Sequence, residues 1–234
     1  MPRQVAVILD GNRRWAAQKG LPVAVWHHAG GQKLAELVSF SMDWGVKVVS
    51  VFAFSTENWR RPKEEVDFLM KLFEDLFNTD PDWYASKGVQ VRVIGDKSGL
   101  PKNLQVTIEK AEQLTKANSS FQLICAINYS GKYDITQACK SIAEKIKDGL
   151  MEPEDINKDL FEQHLLTNGT QFPEPDLLIR TSGEHRVSNF MLWQLAYSEL
   201  VFIDKLWPDF AKEDYVEALK HFQKRERRYG GRPL

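Results

Sequence analysis

The stretch VAVILDGNRRWA, residues 5–16, decides the fold prediction because its character changes at its centre. Its first half, from Val5 to Leu9, is wholly apolar and rich in branched residues, as in a strand that is buried on both faces. The run breaks at Asp10, Gly11 and Asn12, after which two arginines and a tryptophan follow. The stretch therefore predicts a buried strand with polar groups at its carboxyl end, where a turn leads into a helix.

Five more stretches share this strand character, and helical patterns separate them. The predicted strands are residues 5–10, 47–54, 90–94, 122–128, 176–180 and 200–203. Between them, apolar residues recur at helical spacing, for example Val66, Leu69, Met70 and Phe73. Strands joined by long helical crossovers predict an α/β fold: a mostly parallel six-stranded sheet flanked by helices, in a single domain over residues 1–234.

The composition is that of a globular protein, with 43% hydrophobic and 27% charged residues. A formal net charge of −1 creates no overall field that would attract nucleic acid or an anionic membrane, so an anionic ligand must be held by local positive charge. No apolar run approaches the roughly 20 residues that span a bilayer, and the first residues do not resemble a secretory signal. We therefore expect a soluble chain with no transmembrane segment and no nucleic-acid partner.

The two cysteines, Cys125 and Cys139, lack the spacing of metal ligands. Cys139 falls on the apolar face of a predicted helix, beside Ala138 and Ile142. Free thiols in the core, in a reducing compartment, are therefore favoured over a disulfide.

Three of the predicted strands end in polar residues. These ends are residues 10–12 after the first strand, 54–59 after the second and 180–183 after the fifth. Ligands of parallel α/β sheets bind beyond the carboxyl ends of the strands, so these are the first places to look for a site.

By itself, a carboxylate at a strand end more often forms a turn or caps a helix than binds a metal, and this interpretation of Asp10 stays open. Its neighbours favour a second interpretation. Mg²⁺ is typically held by one or two carboxylates together with phosphate oxygens and water, so an aspartate beside Arg13 and Arg14 suits a diphosphate site. Gly11 would let the backbone approach a phosphate, and N–H groups at the helix start would add donors.

The second strand end belongs to the stretch FSTENWRRPKEE, residues 54–65. Its proline and the two glutamates up to Glu65 are typical of an ordinary helix start. They do not explain why Ser55, Asn58 and Trp59 crowd the end of the strand. Polar groups beside an aromatic wall suit a ligand with a charged head and an apolar body, and Arg61 could add a phosphate contact.

The third strand end belongs to DLLIRTSGEHRVSNF, residues 176–190. Arginines are usually solvated surface charges, and Arg186 alone would be interpreted so. Arg180 directly follows three aliphatic residues, which places its guanidinium at the end of a strand. Two forked donors and the hydroxyl of Ser188 make a plausible diphosphate clamp.

Together, five stretches of the chain resemble the cis-prenyltransferase family, whose best-known member makes undecaprenyl diphosphate. They are VAVILDGNRRWA (5–16), FAFSTENWRRPKEEV (52–66), NYSGKYDI (128–135), DLLIRTSGEHRVSNF (176–190) and LWPDF (206–210). They follow one another in order over nearly the whole chain, which is more specific than any one motif.

The resemblance implies two diphosphate sites flanking one Mg²⁺ ion, with Asp10 and Glu199 as the metal residues. The other implied catalytic residues, which steer the leaving diphosphate and proton removal, are His27, Ser55 and Asn58. The implied first diphosphate site is Gly11, Asn12, Arg13, Arg14 and Trp15, and the second is Arg61, Arg180, Arg186, Ser188, Arg228 and Gly230. In the family's homodimers the C-terminal Arg-x-Gly feature, here at residues 228–230, reaches the neighbouring subunit's site, so we expect a homodimer.

The chain departs from the family pattern at three positions. Val23 stands where many relatives have an arginine, Trp26 takes the place of a glycine, and Ser182 replaces the second glycine of TGGE. A large indole should reshape the first pocket. With Phe54 and Trp59, these residues are expected to set specificity, and the lack of a long insertion after residues 75–83 favours a short product.

The framework is similar to that of short-chain plant members of the family. One of their reactions joins two molecules of dimethylallyl diphosphate head to middle to give lavandulyl diphosphate, and the resemblance favours this reaction. Two alternatives stay open: regular cis condensation with isopentenyl diphosphate to neryl or longer products, and a noncatalytic partner subunit of the same fold. The plant resemblance implies the plastid stroma, or the cytoplasm if no transit peptide preceded the chain.

Overall fold

The computed structural model describes residues 1–21, 23–79 and 81–231, with residues 23–29 and 81 described by their backbone alone. The strands are β1 (Gln4–Ile8), β2 (Val48–Ser55), β3 (Val89–Ile94), β4 (Phe121–Tyr129), β5 (Leu177–Arg180) and β6 (Glu199–Phe202). The α-helices are α1 (Asn12–Lys19), α2 (Val23–Asp43), α3 (Lys63–Thr79), α4 (Pro81–Ser86), α5 (Lys102–Thr115), α6 (Gly131–Lys147), α7 (Lys158–Gln163) and α8 (Lys212–Gln223).

The six strands form one sheet in the order β3-β4-β2-β1-β5-β6, and all of its pairings are parallel. The α/β prediction is therefore confirmed, and the predicted strand ends lie within two residues of the observed ones. Parallel neighbours require crossovers, which helices supply everywhere except between β5 and β6, where residues 181–198 form a loop. As a result, the ends of β1, β2 and β5 lie next to one another at the carboxyl edge of the sheet.

The central strands are buried on both faces, which explains their continuous apolar sequences. Alternate residues point to opposite sides. Val5 and Val7 join a large core that also contains residues of α2, α3, α5 and α8, whereas Ala6 and Ile8 join a smaller core with Phe190 and Met191. Among the described residues, none of the helices combines the length and the apolar character needed to cross a bilayer.

The prediction for the cysteines is half correct. Neither Cys125 nor Cys139 forms a disulfide, and Cys125 is buried. Cys139, however, is exposed, because the buried face of α6 is narrower than its apolar pattern and is centred on Ala138 and Ile142. The prediction that Cys139 is a core thiol is therefore wrong.

Candidate active site

A polar cleft of about 390 Å³ opens at the carboxyl edge of the sheet. Its walls come from the ends of β1, β2 and β5 and from the starts of α1 and α3. The cleft is lined by Ile8, Leu9, Asp10, Gly11, Asn12, Arg13, Arg14, Phe52, Ala53, Phe54, Ser55, Asn58, Arg61, Glu65, Leu69, Arg180 and Ser188. All three polar strand ends that the sequence singled out therefore contribute to one cavity.

The main chain fixes Asp10 in place from two directions. Its N–H donates to Thr181 Oγ1 at 3.0 Å, and its carbonyl accepts from Thr181 Oγ1 at 2.7 Å and from the Trp207 N–H at 3.0 Å. Thr181 is fully buried just beyond β5. Sequence reasoning did not assign it a role, although its place directly after Arg180 at a strand end was a usable signal.

Arg180 is the buried cation of the cleft, with a side chain that is only 4% exposed. One terminal nitrogen donates to Asp10 Oδ2 at 2.8 Å, and the other donates to Ser188 Oγ and to the Arg186 carbonyl, both at 2.6 Å. The guanidinium therefore links the end of β1 to the loop after β5. Its fork geometry permits this double contact, which a single ammonium could not make.

The electrostatics of Asp10 follow from these contacts. Burial of the carboxyl works to raise its pKa, but the hydrogen bond and charge of Arg180 act in the opposite direction, helped by Ser182 and Arg14. The balance holds the pKa of Asp10 below its usual range. Asp10 is thus an anion at neutral pH, as a ligand of a hard cation must be.

The turn at Gly11 presents the start of α1 to the cleft. Gly11 has a φ of 106°, a left-handed conformation, and a Cβ at this position would lie 2.8 Å from Leu206 Cδ2. Among the described residues, no side chain caps α1, which leaves its first N–H groups available to an anion. That these N–H groups bind a phosphate stays a prediction.

Arg14 is held at one side of this cradle by the loop after β5. Its guanidinium donates to the hydroxyl of Ser182 and lies 3.8 Å from both Asp10 Oδ1 and Glu184 Oε1. Ser182 is buried and has a φ of 80°, a conformation that favours glycine. The replacement of the usual glycine by Ser182 thus adds a hydroxyl that holds Arg14.

The opposite wall carries Arg13 and Arg61. Both lie near Glu65 of α3, at 3.9 Å and 3.1 Å from its carboxylate oxygens. The sequence predicts only a helix-start role for Glu65, yet the structure shows that it also lines the cleft; its position four residues after Arg61 was the available signal. Four arginines against two carboxylates leave the lining net positive, which suits a diphosphate.

Ser55, Asn58 and Phe54 form the wall beside the end of β2. Asn58 Oδ1 accepts from the Ser55 N–H at 3.1 Å, which fixes the turn over Thr56–Arg60. Phe54 is buried and also packs against the core. This wall therefore combines a polar rim with an apolar base.

A second, apolar pocket of about 120 Å³ adjoins the cleft on the larger core side. It is lined by Leu9, Asn12, Gly30, Gly31, Leu34, Val51, Ala53, Leu69, Leu72, Phe73, Leu76, Phe77, Tyr84, Val91, Leu123, Cys125, Ile127 and Trp207. Leu9, Asn12, Ala53 and Leu69 line both cavities. The two together suit a molecule with an anionic head and a hydrocarbon body.

Comparison with known proteins identifies the family of this chain. The model of the Prenyltransf family, the undecaprenyl diphosphate synthase-like prenyltransferases, matches residues 8–230. This chain belongs to that family. The cis-prenyltransferase resemblance of the sequence is thereby confirmed.

Individual cis-prenyltransferases cover almost the whole chain. A chloroplastic dehydrodolichyl diphosphate synthase, CPT5, from Solanum lycopersicum is 55% identical over 99% of this chain and 74% of its own length. The chloroplastic (2Z,6Z)-farnesyl diphosphate synthase CPT6 of the same plant is 52% identical over 99% of this chain and 80% of its own. The crystal structure of lavandulyl diphosphate synthase from Lavandula x intermedia, in complex with dimethylallyl diphosphate, superposes with a TM-score of 0.94 at 43% identity, covering 98% of both chains.

Two aromatic residues assigned from the cis-prenyltransferase pattern do not line the cleft. The Trp15 side chain is buried on the core side of α1, where its N–H donates to Asp209 Oδ1 at 2.7 Å. Trp59 is partly exposed and donates to Asn128 Oδ1 at 2.7 Å, with its ring set edge-on against Phe54. The predicted diphosphate contact of Trp15 and the specificity role of Trp59 therefore stay predictions.

Glu199 lies at the other end of the sheet from Asp10. It begins β6 opposite Leu177, and its carboxylate accepts from Arg225 Nε at 3.0 Å. Within one chain, therefore, Glu199 lies apart from Asp10, and its role at a metal site shared with Asp10 stays a prediction. The sequence already indicated this separation. In a parallel sheet, a residue that starts a strand lies at the opposite edge from a residue that follows a strand.

The remaining assigned residues of the second diphosphate site lie outside the cleft of their own chain. The Arg186 guanidinium is exposed and pairs with Glu184, so only its carbonyl contacts Arg180. Arg228 pairs with Glu226 beyond the end of α8, and Gly230 follows with a φ of 82°. The side chains of Val23, Trp26 and His27 lie outside the described residues.

The cleft fits the Mg²⁺ ion on which this family generally depends. Among the residues described, no cluster of three or more His, Cys, Asp or Glu side chains could hold a metal by itself. Asp10 is an ionised carboxylate, 31% exposed in its side chain, that lines the cleft beside Arg14 and Arg180. One carboxylate of this kind, completed by diphosphate oxygens and water, is a normal Mg²⁺ site.

Proposed function

We propose that this chain is a Mg²⁺-dependent short-chain isoprenyl diphosphate synthase that joins two molecules of dimethylallyl diphosphate head to middle and forms lavandulyl diphosphate. The observation that carries the proposal is the arginine-lined cleft opening into a short apolar pocket. The likeness of the whole chain to a lavandulyl diphosphate synthase bound to dimethylallyl diphosphate supports the choice of substrate.

The size of the apolar pocket supports a short substrate tail. An engineered apolar cavity of about 150 Å³ holds one benzene molecule, which has six carbons. A pocket of about 120 Å³ therefore matches one five-carbon dimethylallyl tail, with its diphosphate in the cleft. Asn12 stands at the junction of the two cavities, and its buried Oδ1 has no partner among the described residues, so a ligand group or water at the junction would satisfy it.

The residues of the cleft supply the steps of the reaction. Arg13, Arg14 and the first N–H groups of α1 would bind the first diphosphate and stabilise the negative charge that develops as its carbon–oxygen bond breaks. Arg180 and Ser188 would hold the second diphosphate, with Arg61, Arg186 and a partner's C-terminal segment completing that site. Bound Mg²⁺, held by Asp10, would help neutralise the leaving diphosphate.

The apolar lining would protect the carbocation that remains after the diphosphate leaves. Leu69 and Phe54 exclude water from the carbon end of the cleft. The double bond of the second substrate then attacks the cation, a carbon–carbon bond forms, and a proton is lost. Ser55 and Asn58, with His27, are the proposed groups along that path.

Regular condensation with isopentenyl diphosphate is the second candidate. Its specific support is the (2Z,6Z)-farnesyl diphosphate synthase that is 52% identical to this chain. The presence of Asp10, Arg180 and Ser188 in one bonded cluster opposes the noncatalytic alternative. A plastid location is proposed because several relatives are chloroplastic.

The deciding experiment incubates the purified chain with Mg²⁺ and dimethylallyl diphosphate, with and without isopentenyl diphosphate, and analyses the dephosphorylated products by gas chromatography and mass spectrometry. Lavandulol from dimethylallyl diphosphate alone is the expected result. Nerol or longer alcohols that need isopentenyl diphosphate would replace the head-to-middle proposal with regular condensation. No product under either condition would contradict both, and D10N serves as the inactive control.

A further inference from the structure

Asn189 joins three loops that follow three different strands. Its side-chain amide donates to Glu57 Oε1 at 2.7 Å, in the turn after β2. Its Oδ1 accepts from the Lys132 N–H at 3.0 Å, and its carbonyl accepts from the Gly131 N–H at 2.6 Å, at the start of α6 after β4. Asn189 itself lies on the loop after β5. No role follows for it from the proposed reaction alone.

The orientation of this amide is fixed by its partners. A backbone N–H can only donate, so the oxygen of Asn189 faces Lys132, and the NH₂ group is left to face the carboxylate of Glu57. Burial works to raise the pKa of Glu57, but the Asn189 hydrogen bond and neighbouring donors hold it below its usual range. The bond between Asn189 and Glu57 is therefore charge-assisted.

The loop that carries Asn189 depends on such contacts for its shape. Ser188, Asn189 and Met191 all have positive φ, at 48°, 62° and 42°, which residues other than glycine rarely adopt. The loop also packs closely on α6, since a Cβ on Gly131 would lie 2.7 Å from the Leu192 N atom. A conformation of this kind persists only where surrounding contacts hold it.

Ser188, the residue before Asn189, carries the hydroxyl that holds Arg180. Ser188 Oγ accepts from Arg180 at 2.6 Å, and the same guanidinium binds Asp10. We propose that Asn189 is a positioning residue: by bonding to Glu57 in the turn after β2, it fixes Ser188 and Arg180 for the second diphosphate. The inference rests on the proposed assignment of that diphosphate to Arg180 and Ser188.

The test exchanges the donor and the acceptor of the bond between Asn189 and Glu57. N189D keeps the size of the side chain and the acceptor for Lys132 but sets a second carboxylate against Glu57. E57Q keeps an acceptor for Asn189. In the double variant N189D/E57Q the glutamine amide donates to the new carboxylate, so the bond is restored with its direction reversed. N103D, on the exposed start of α5, is the matched Asn-to-Asp control.

The readouts are the Kd of inorganic diphosphate by calorimetry, and kcat and KM for prenyl transfer. We expect N189D to raise Kd and KM about tenfold with kcat within about threefold, as for the loss of one charge-assisted bond. E57Q and N103D should stay within about twofold of the unsubstituted protein, and the double variant should recover most of the loss. If N189D does not fold, E57L removes the same bond from the Glu57 side and should raise KM likewise.

Two outcomes would overturn the inference. One is an unchanged Kd and KM in N189D or E57L, and the other is a double variant no better than N189D, since the effect would then not come from this bond. Failure of the proposed function would give a different set of measurements from failure of this inference. In that case the unsubstituted chain binds diphosphate but makes no prenyl product, and the diphosphate affinities still test Asn189.

Discussion

Arg180 is the residue on which the two halves of the cleft depend. Its buried guanidinium reaches Asp10 on one side and Ser188 on the other, so it fixes the proposed metal ligand and the proposed second diphosphate site at once. Such a charge is tolerable in the interior only because its partners are acceptors with good geometry.

Replacing Arg180 with lysine should therefore be damaging although the charge is kept. An ammonium cannot bridge Asp10 and Ser188 as the planar fork does, so we expect kcat/KM for prenyl transfer in R180K to fall about 100-fold or more. R3K, at an exposed arginine at the other end of β1, is the control and should retain activity within about twofold. An R180K protein of normal kcat/KM would show that the bridge is not needed.

Ser182 combines backbone strain with a useful hydroxyl, and two substitutions separate these effects. S182A and S182G both remove the bond between the Ser182 hydroxyl and Arg14, but only glycine relieves the φ of 80°. We expect S182G to have a free energy of unfolding about 1 kcal/mol higher than that of S182A, measured in urea. Equal stabilities would mean that the left-handed conformation at this position is not strained.

At the scale of elements, α3 sets the depth of the apolar pocket. Leu69 lines both cavities, whereas Leu72, Leu76 and Phe77 line the apolar pocket alone. Phe77 is eight residues after Leu69, which corresponds to about 12 Å along a helix. Phe77 is therefore at the end of the pocket remote from the diphosphates.

Shortening this side chain should lengthen the product. In F77A the end of the pocket opens, so we expect alcohols of fifteen or more carbons beside the ten-carbon product when both substrates are supplied, detected by gas chromatography. L114A, an exposed leucine on α5, is the control and should leave the product pattern unchanged. The same pattern in F77A as in the unsubstituted chain would place the limit on chain length elsewhere.

At the scale of the whole molecule, β6 leaves one edge of the sheet open. Leu200 on this strand is 42% exposed, and Tyr197 and Tyr229, which contact each other, are 62% and 57% exposed. An edge strand with exposed apolar side chains is a ready surface for pairing with another chain. We propose that two copies meet along β6 and the segment 225–230, which would bring Arg228 and Gly230 towards the partner's cleft.

The oligomeric state tests this proposal. Light scattering should show a dimer, and L200E should raise the dimer dissociation constant at least about tenfold and lower activity with it, because a charge would be buried at the interface. L150E, at an exposed leucine after α6, should change neither property. A fully active monomer would contradict both the dimer and the role of the C-terminal segment.

The architecture and the place of the candidate site follow from the amino-acid sequence alone. Buried strands carry continuous apolar runs and helices carry a period near 3.6, so all six strands could be read along the chain. Because parallel strands end at one edge, the polar residues after β1, β2 and β5 had to meet, and Asp10, Ser55 and Arg180 do so.

Which face each side chain takes, and what it bonds to, depends on how the chain packs in three dimensions. Periodicity did not show that Trp15 turns from the cleft to Asp209, nor that Ser182 adopts a left-handed conformation that holds Arg14. The link from Asn189 to Glu57 joins residues 132 positions apart. Such contacts arise from the packing of distant segments, and a pattern along one chain carries information about neighbours in sequence, not about neighbours in space.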